Sequence, residues 1–184
     1  AEGKTTNAIW LATAAAHAGK KVLINDADMR RPTLHKAFGI GNSKGLVDYL
    51  SNRLPLDETI YKKDSSNVHI MTSKAIPTHA LTLLTNERMD TLIRRVRDDY
   101  DLIILDGPTA HVFSDSLVCA KLSDQTLFVV EWKKTKRDEL VDTLKQFKEM
   151  NYKDIALILN KVNKKKILKI WKQDLAYTDE NRRV

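Results

Sequence analysis

Apolar positions along the chain recur with two periods. Over residues 5–17, Ala8, Leu11, Ala12 and Ala15 fall at helical spacing, and Gly19 follows as a stop. Val22-Leu23-Ile24 has no polar interruption; it predicts a short buried strand ending at Asn25-Asp26-Ala27-Asp28, with Pro32 as a break. Val68-His69-Ile70-Met71 predicts a second strand, and Leu102-Ile103-Ile104-Leu105 a third, which ends at Asp106-Gly107-Pro108. Between these two, residues 83–96 carry Leu83, Leu84, Met89, Leu92, Ile93 and Val96 and read as one helix. Further helix is expected over 113–122 and 138–150, and extended chain over 126–130 and 155–159. Nearly continuous apolar strands alternating with amphipathic helices indicate a parallel sheet covered on both faces. The expected fold is α/β, a three-layer sandwich around a mainly parallel central sheet.

Composition narrows this picture only a little. A chain of 184 residues with 42% apolar content is long enough for one domain with its own core. Neither a repeat nor a low-complexity linker divides it, so residues 1–184 are expected to form a single domain with a basic tail from about residue 164. No apolar run reaches the roughly 18–20 residues of a membrane-spanning helix, and the N-terminus lacks signal-peptide order, so the segment reads as soluble. The single cysteine, Cys119, excludes an internal disulfide and fits a reducing compartment such as the cytosol. It lies in an apolar stretch and reads as a buried hydrophobe. The five histidines show no zinc spacing, so no transition metal is expected. The net charge of +7 is concentrated over 161–172 and at Arg94, Arg95 and Arg97. Such runs are usually solvated faces, and no nucleic-acid partner is expected; the lysines of 164–172 also suit an anionic membrane face.

Three segments carry candidate chemistry. Ala1-Glu2-Gly3-Lys4-Thr5-Thr6 matches the end of the phosphate-loop pattern G-x-x-x-x-G-K-[ST] without its leading glycine. In such a loop, backbone N–H groups and the helix N-terminus cradle phosphates, the lysine reaches the β/γ-phosphates and the hydroxyl binds Mg²⁺. The helix that the motif requires is predicted independently by its periodicity. Because a phosphate loop follows a strand, the sequence is expected to be a fragment lacking its opening strand. Asp26 and Asp28 lie two apart just beyond a strand end, where ligands of open α/β sheets bind; alone, such a pair reads more readily as loop or cap residues. Asp106, delivered by an apolar strand, matches the usual device for holding Mg²⁺ in P-loop proteins. The three segments occur in the order of a P-loop nucleotide-binding domain for MgATP.

E-G-K-T-T, V-L-I-N-D-A-D-M-R-R-P and D-L-I-I-L-D-G-P resemble the Walker A, Walker A′ and Walker B motifs of bacterial tyrosine kinases, the kinases of capsule and exopolysaccharide assembly. The likeness continues through G-L-V-D-Y-L at 45–50, V-V-E-W-K-K-T at 129–135 and L-N-K-V at 159–162; D-A-D-M-R-R-P is its most specific part. The resemblance implies ATP and Mg²⁺ as cofactors. It implies a phosphate loop of Glu2, Gly3, Lys4, Thr5 and Thr6, with Lys4 on phosphate and Thr5, Asp28 and Asp106 at the metal. Asp26 would accept the tyrosine proton, and Asn160 would either meet the base edge or cap a turn. The expected activity is tyrosine autophosphorylation controlling polysaccharide polymerisation and export. The expected partners are further copies in a ring, a transmembrane activator upstream or separate, and a tyrosine-bearing protein substrate, at the inner face of the bacterial cell membrane.

Arg30 and Arg31 read either as partners of phosphate or of a neighbouring subunit, or as a solvated turn. Two features depart from the family. Thr82 stands where the family carries an acidic residue in P-N-P-x-E-L-L, and the C-terminal tyrosine cluster is reduced to Tyr177, while Tyr49, Tyr61, Tyr100 and Tyr152 read as structural. A ParA/MinD-like positioning ATPase and a catalytically silent nucleotide sensor share the fold and the site; D-M-R-R-P with G-L-V-D-Y-L favours the kinase.

Overall fold

The computed structural model describes residues 2–63, 65–110, 114–152 and 154–163. Its elements in chain order are α1 (Lys4–His17), β1 (Val22–Asp26), α2 (Leu34–Phe38), α3 (Leu46–Leu50), α4 (Leu56–Thr59), β2 (Val68–Met71), α5 (Ala80–Leu84), α6 (Glu87–Arg97), β3 (Leu102–Asp106), α7 (Asp115–Lys121), β4 (Thr126–Glu131), α8 (Arg137–Glu149) and β5 (Ile155–Asn160).

β1 is buried at all five positions, which explains why its apolar run does not alternate. One of its faces packs Val22 and Ile24 against Ala12 of α1, with Leu34 and Ile70. The other packs Leu23 with Met29, Leu46, Met71, Leu84, Met89 and Leu92. β2 and β3 flank β1 in parallel, and the register sets Asp26 level with Asp106. β4 and β5 form a second parallel pair that sets Glu131 level with Asn160. Phe128 and Phe147 fill a smaller core beneath that pair.

The α/β architecture with parallel strands is therefore present. Its strands are divided between two ladders, β2-β1-β3 and β4-β5, and among the described residues β3 and β4 each keep one unpaired edge. Leu102, Ile103, Ile104 and Leu105 are accordingly only half-buried.

The helix expected over 83–96 is interrupted. α5 ends at Leu84, Asn86 is extended, and its side chain accepts the Arg88 N–H at 2.9 Å to start α6. Local capping chemistry overrides the apolar period there. Of the stretch expected over 113–122, the described helix is α7; residue 113, the basic stretch over 164–172, Trp171 and Tyr177 lie outside the described residues. Among the described residues no helix is long and apolar enough to cross a membrane.

Candidate nucleotide site

Gly3 caps the N-terminus of α1 with φ +98°, a conformation that side chains disfavour, and a Cβ there would collide with the Asn160 amide. Its carbonyl accepts both the backbone N–H of Asn7 at 3.0 Å and the Asn7 side-chain amide at 2.8 Å. Asn160, the last residue of β5, donates from Nδ2 to the Glu2 carbonyl at 2.8 Å. The loop is thus held from both flanks. Lys4 Nζ lies 3.0 Å from Glu2 Oε2 and 3.4 Å from Thr109 Oγ1. Thr5 Oγ1 donates to Asp106 Oδ2 at 2.6 Å and lies 3.1 Å from Thr33 Oγ1. Thr6 is exposed and adds no polar contact to this cluster.

Strand pairing delivers the carboxylates. Asp26 is fully buried; its Oδ2 accepts the N–H groups of Thr33 at 2.9 Å and Leu34 at 3.0 Å, while its Oδ1 has no partner among the described residues. Burial, reinforced by the negative charges of Asp106 and Asp28, pushes its carboxyl up to about 7 against the opposing pull of those N–H bonds. Burial likewise raises Asp106 to about 6, with Asp28 adding to the shift and Thr5 and Lys4 opposing it. The N–H groups of Ala27 and Asp28 both reach the Asp106 carbonyl at 3.0 Å, which ties the end of β1 to the end of β3. Asp28 Oδ1 accepts the N–H groups of Arg30 at 3.2 Å and Arg31 at 3.0 Å.

Lys4, Thr5 and Asp106 are therefore in one cluster with Asp26 alongside, whereas Asn160 meets the loop's backbone. Arg30 is half-buried and pairs with Asp115, and Arg31 is exposed. Cys119 is buried, and burial pushes its thiol up to about 12, which leaves it unreactive at neutral pH. Thr33, Thr109 and Asp115 were not singled out by sequence. The first two directly follow R-R-P and D-G-P, and that adjacency was the available signal.

The donor set suits Mg²⁺. The Thr5 hydroxyl and the Asp28 and Asp106 carboxylates are hard oxygen ligands, and the buried Asp26 Oδ1 has no partner among the described residues. Among the described residues no three His, Cys, Asp or Glu side chains gather closely enough to hold an ion by themselves. That fits a metal bound through one or two carboxylates together with phosphate oxygens.

The profile of the AAA domain family matches residues 2–164. Tyrosine-protein kinase YwqD of Bacillus subtilis is 30% identical over 159 residues, which cover 86% of this chain and 67% of YwqD. The kinase domain of the Escherichia coli tyrosine kinase ETK superposes with a TM-score of 0.83 at 30% identity, over 89% of this chain and 64% of that one. MinD of Pyrococcus horikoshii, solved as a complex with Mg-ADP, gives a TM-score of 0.69 at 23% identity, over 85% of this chain and 63% of that one, and shows the shared fold. From the phosphate loop through β5, the chain belongs to the AAA domain family and, within it, to the bacterial tyrosine-protein kinases.

Proposed function

We propose that the chain is the nucleotide-binding domain of an MgATP-dependent tyrosine kinase that phosphorylates itself and serves capsule or exopolysaccharide polymerisation and export. The observation that supports this best is the convergence of Lys4, Thr5, Asp26 and Asp106: Thr5 Oγ1 is 2.6 Å from Asp106 Oδ2, and Asp26 is level with Asp106 across the β1–β3 ladder.

Phosphoryl transfer asks a protein mainly to position groups and to neutralise charge. Lys4 exchanges Glu2 for a phosphate oxygen, and the backbone around Gly3 receives the remaining phosphate oxygens. Thr5, Asp28 and Asp106 would hold Mg²⁺, which when bound offsets the charge on the phosphates. Asp26 binds the reacting proton at Oδ1. As the tyrosine oxygen bonds to the γ-phosphorus and the bond to the bridging oxygen breaks, the phenolic proton passes to Oδ1 and ADP leaves. Burial, with Asp106 and Asp28 beside it, raises the Asp26 carboxyl and so favours its taking up a proton.

Among the described tyrosines, Tyr49 and Tyr100 are buried, Tyr152 packs on Phe147, and Tyr61 is exposed. The acceptor in a second copy or in a separate protein, a ring of copies, a transmembrane activator and a place at the inner membrane face belong to the same proposal.

Incubation with γ-labelled ATP and Mg²⁺, with phosphotyrosine and free phosphate counted separately, tests it. The expected result is phosphotyrosine that is abolished in Lys4→Met and slowed about 10²–10⁴-fold in Asp26→Asn. Free phosphate without phosphotyrosine would instead identify a positioning ATPase, and binding without either product a silent sensor.

A further inference from the structure

The pair formed by Arg30 and Asp115 has no part in the roles above. Asp115 opens α7 with its side chain 2% exposed. Arg30 grips it through two parallel bonds, Nε to Oδ2 at 2.6 Å and Nη2 to Oδ1 at 3.2 Å, and donates from Nη1 to the Pro77 carbonyl at 2.7 Å. Three segments distant in sequence meet on this one guanidinium. The turn carrying Arg30 is fixed elsewhere as well: Met29 is fully buried, and its carbonyl accepts the Ile76 N–H at 2.8 Å. Within that turn, Asp28 Oδ1 is occupied by the N–H groups of Arg30 and Arg31. The direction of the Asp28 carboxylate is therefore set by where the Arg30 backbone lies.

We propose that Arg30 and Asp115 form a positioning pair, which locks the turn over 28–31 onto α7 so that Asp28 presents its second oxygen to the Mg²⁺ of the bound nucleotide. Arg30 then serves neither phosphate nor a neighbouring subunit. The inference rests on the reading that Asp28 holds the metal. Lysine keeps the charge but lacks the planar fork, and asparagine keeps the shape of Asp115 but cannot match both bonds, so Arg30→Lys and Asp115→Asn each loosen the turn without emptying the site.

A fluorescent ADP analogue titrated into the protein, once with saturating Mg²⁺ and once with EDTA, reads the effect. In the unaltered protein Mg²⁺ is expected to tighten binding. Both variants are expected to lose tenfold or more in the Mg²⁺ concentration needed for that tightening, while affinity in EDTA stays within twofold. A double variant, Arg30→Met with Asp115→Leu, replaces the pair by apolar side chains and preserves folding should a single change not; it is expected to show the same Mg²⁺ defect. Unchanged Mg²⁺ dependence in the variants, or equal weakening with and without Mg²⁺, overturns the positioning role alone. Absence of any Mg²⁺ effect in the unaltered protein overturns the metal-site reading and the pair's role with it.

Discussion

Asn25 lies within β1, 1% exposed, and neither its Nδ2 nor its Oδ1 has a hydrogen-bond partner among the described residues. Strand alternation puts its side chain on the face of Leu23, and the register sets it between Met71 of β2 and Leu105 of β3. An amide in apolar surroundings without partners loses its hydration and gains nothing in exchange. That costs about 1–3 kcal/mol. Leucine has nearly the outline of asparagine, with methyl groups in place of the amide oxygen and nitrogen, so Asn25→Leu removes the penalty without opening a cavity. We expect a stabilisation of about 1–3 kcal/mol by this exchange. For a chain of this size each kcal/mol raises Tm by about 2–4 °C. Urea denaturation of the unaltered protein, Asn25→Leu and Asn25→Ala is the assay, with an unchanged m-value showing that stability alone has moved. Alanine removes the amide but leaves a void, so Asn25→Ala must fall below Asn25→Leu. If Asn25→Leu is less stable than the unaltered protein, the amide is satisfied in solution, by water or by a rearrangement, and the reasoning fails.

Two further outcomes follow from packing and from burial of charge. A Cβ at Gly45 would collide with the Thr72 carbonyl, to which the Leu46 N–H donates at 2.8 Å, so Gly45→Ala is expected to cost about 1–3 kcal/mol in the same urea assay, and a loss below about 0.5 kcal/mol would refute the close approach. The His69 imidazole is held below its ordinary range by burial and by Lys21 and Lys62, and its Nδ1 lies 2.8 Å from Tyr100 Oη. The unfolded chain therefore binds the proton first, so stability is fully present above about pH 6.5 and is lost as pH falls through the lower folded value. Thermal melts between pH 5 and 8 should show a smaller acid-side loss in His69→Asn; equal slopes would show that His69 does not contribute.

The strands β1, β2 and β3 were legible because each is a short, mostly apolar run, with β1 and β3 ending in an aspartate, and α1, α6 and α8 because each is long enough to show its period. α2, α3 and α4 were not, since a helix of four or five residues shows little more than one turn and no repeat. The division between α5 and α6 was hidden for a different reason: Asn86 interrupts the backbone without interrupting the apolar stripe. At the site, Lys4, Thr5, Asp26, Asp28 and Asp106 could be nominated because motif spacing is local. The support for them comes from residues distant in sequence, Thr109 against Lys4, Asp115 against Arg30 and Asn160 against Glu2, and only the folded chain brings these pairs together.

The contrast between two charged groupings at and beyond the ends of β1 and β3 separates what stabilises this fold from what its site does. Arg30 and Asp115 are compensated: the buried carboxylate receives two bonds from one guanidinium, and the third guanidinium bond meets a carbonyl. Asp26 and Asp106, a few residues away, are not. Both are buried, both carboxyls are raised, and the cation beside them, Lys4, is engaged by Glu2. A raised carboxyl keeps its proton in the folded state after the unfolded chain has released it, so between about pH 4 and 7 its ionisation opposes folding. A core residue with that property would be a liability, and at Asp115 the chain supplies a partner. At Asp26 and Asp106 it supplies N–H groups and a hydroxyl, which hold the carboxylates in place without neutralising them. Strand ends that hold two raised carboxyls beside the Gly3–Thr5 loop are complementary to a cation arriving with its ligand, and on the proposed reading such a cation would offset the cost of ionising them.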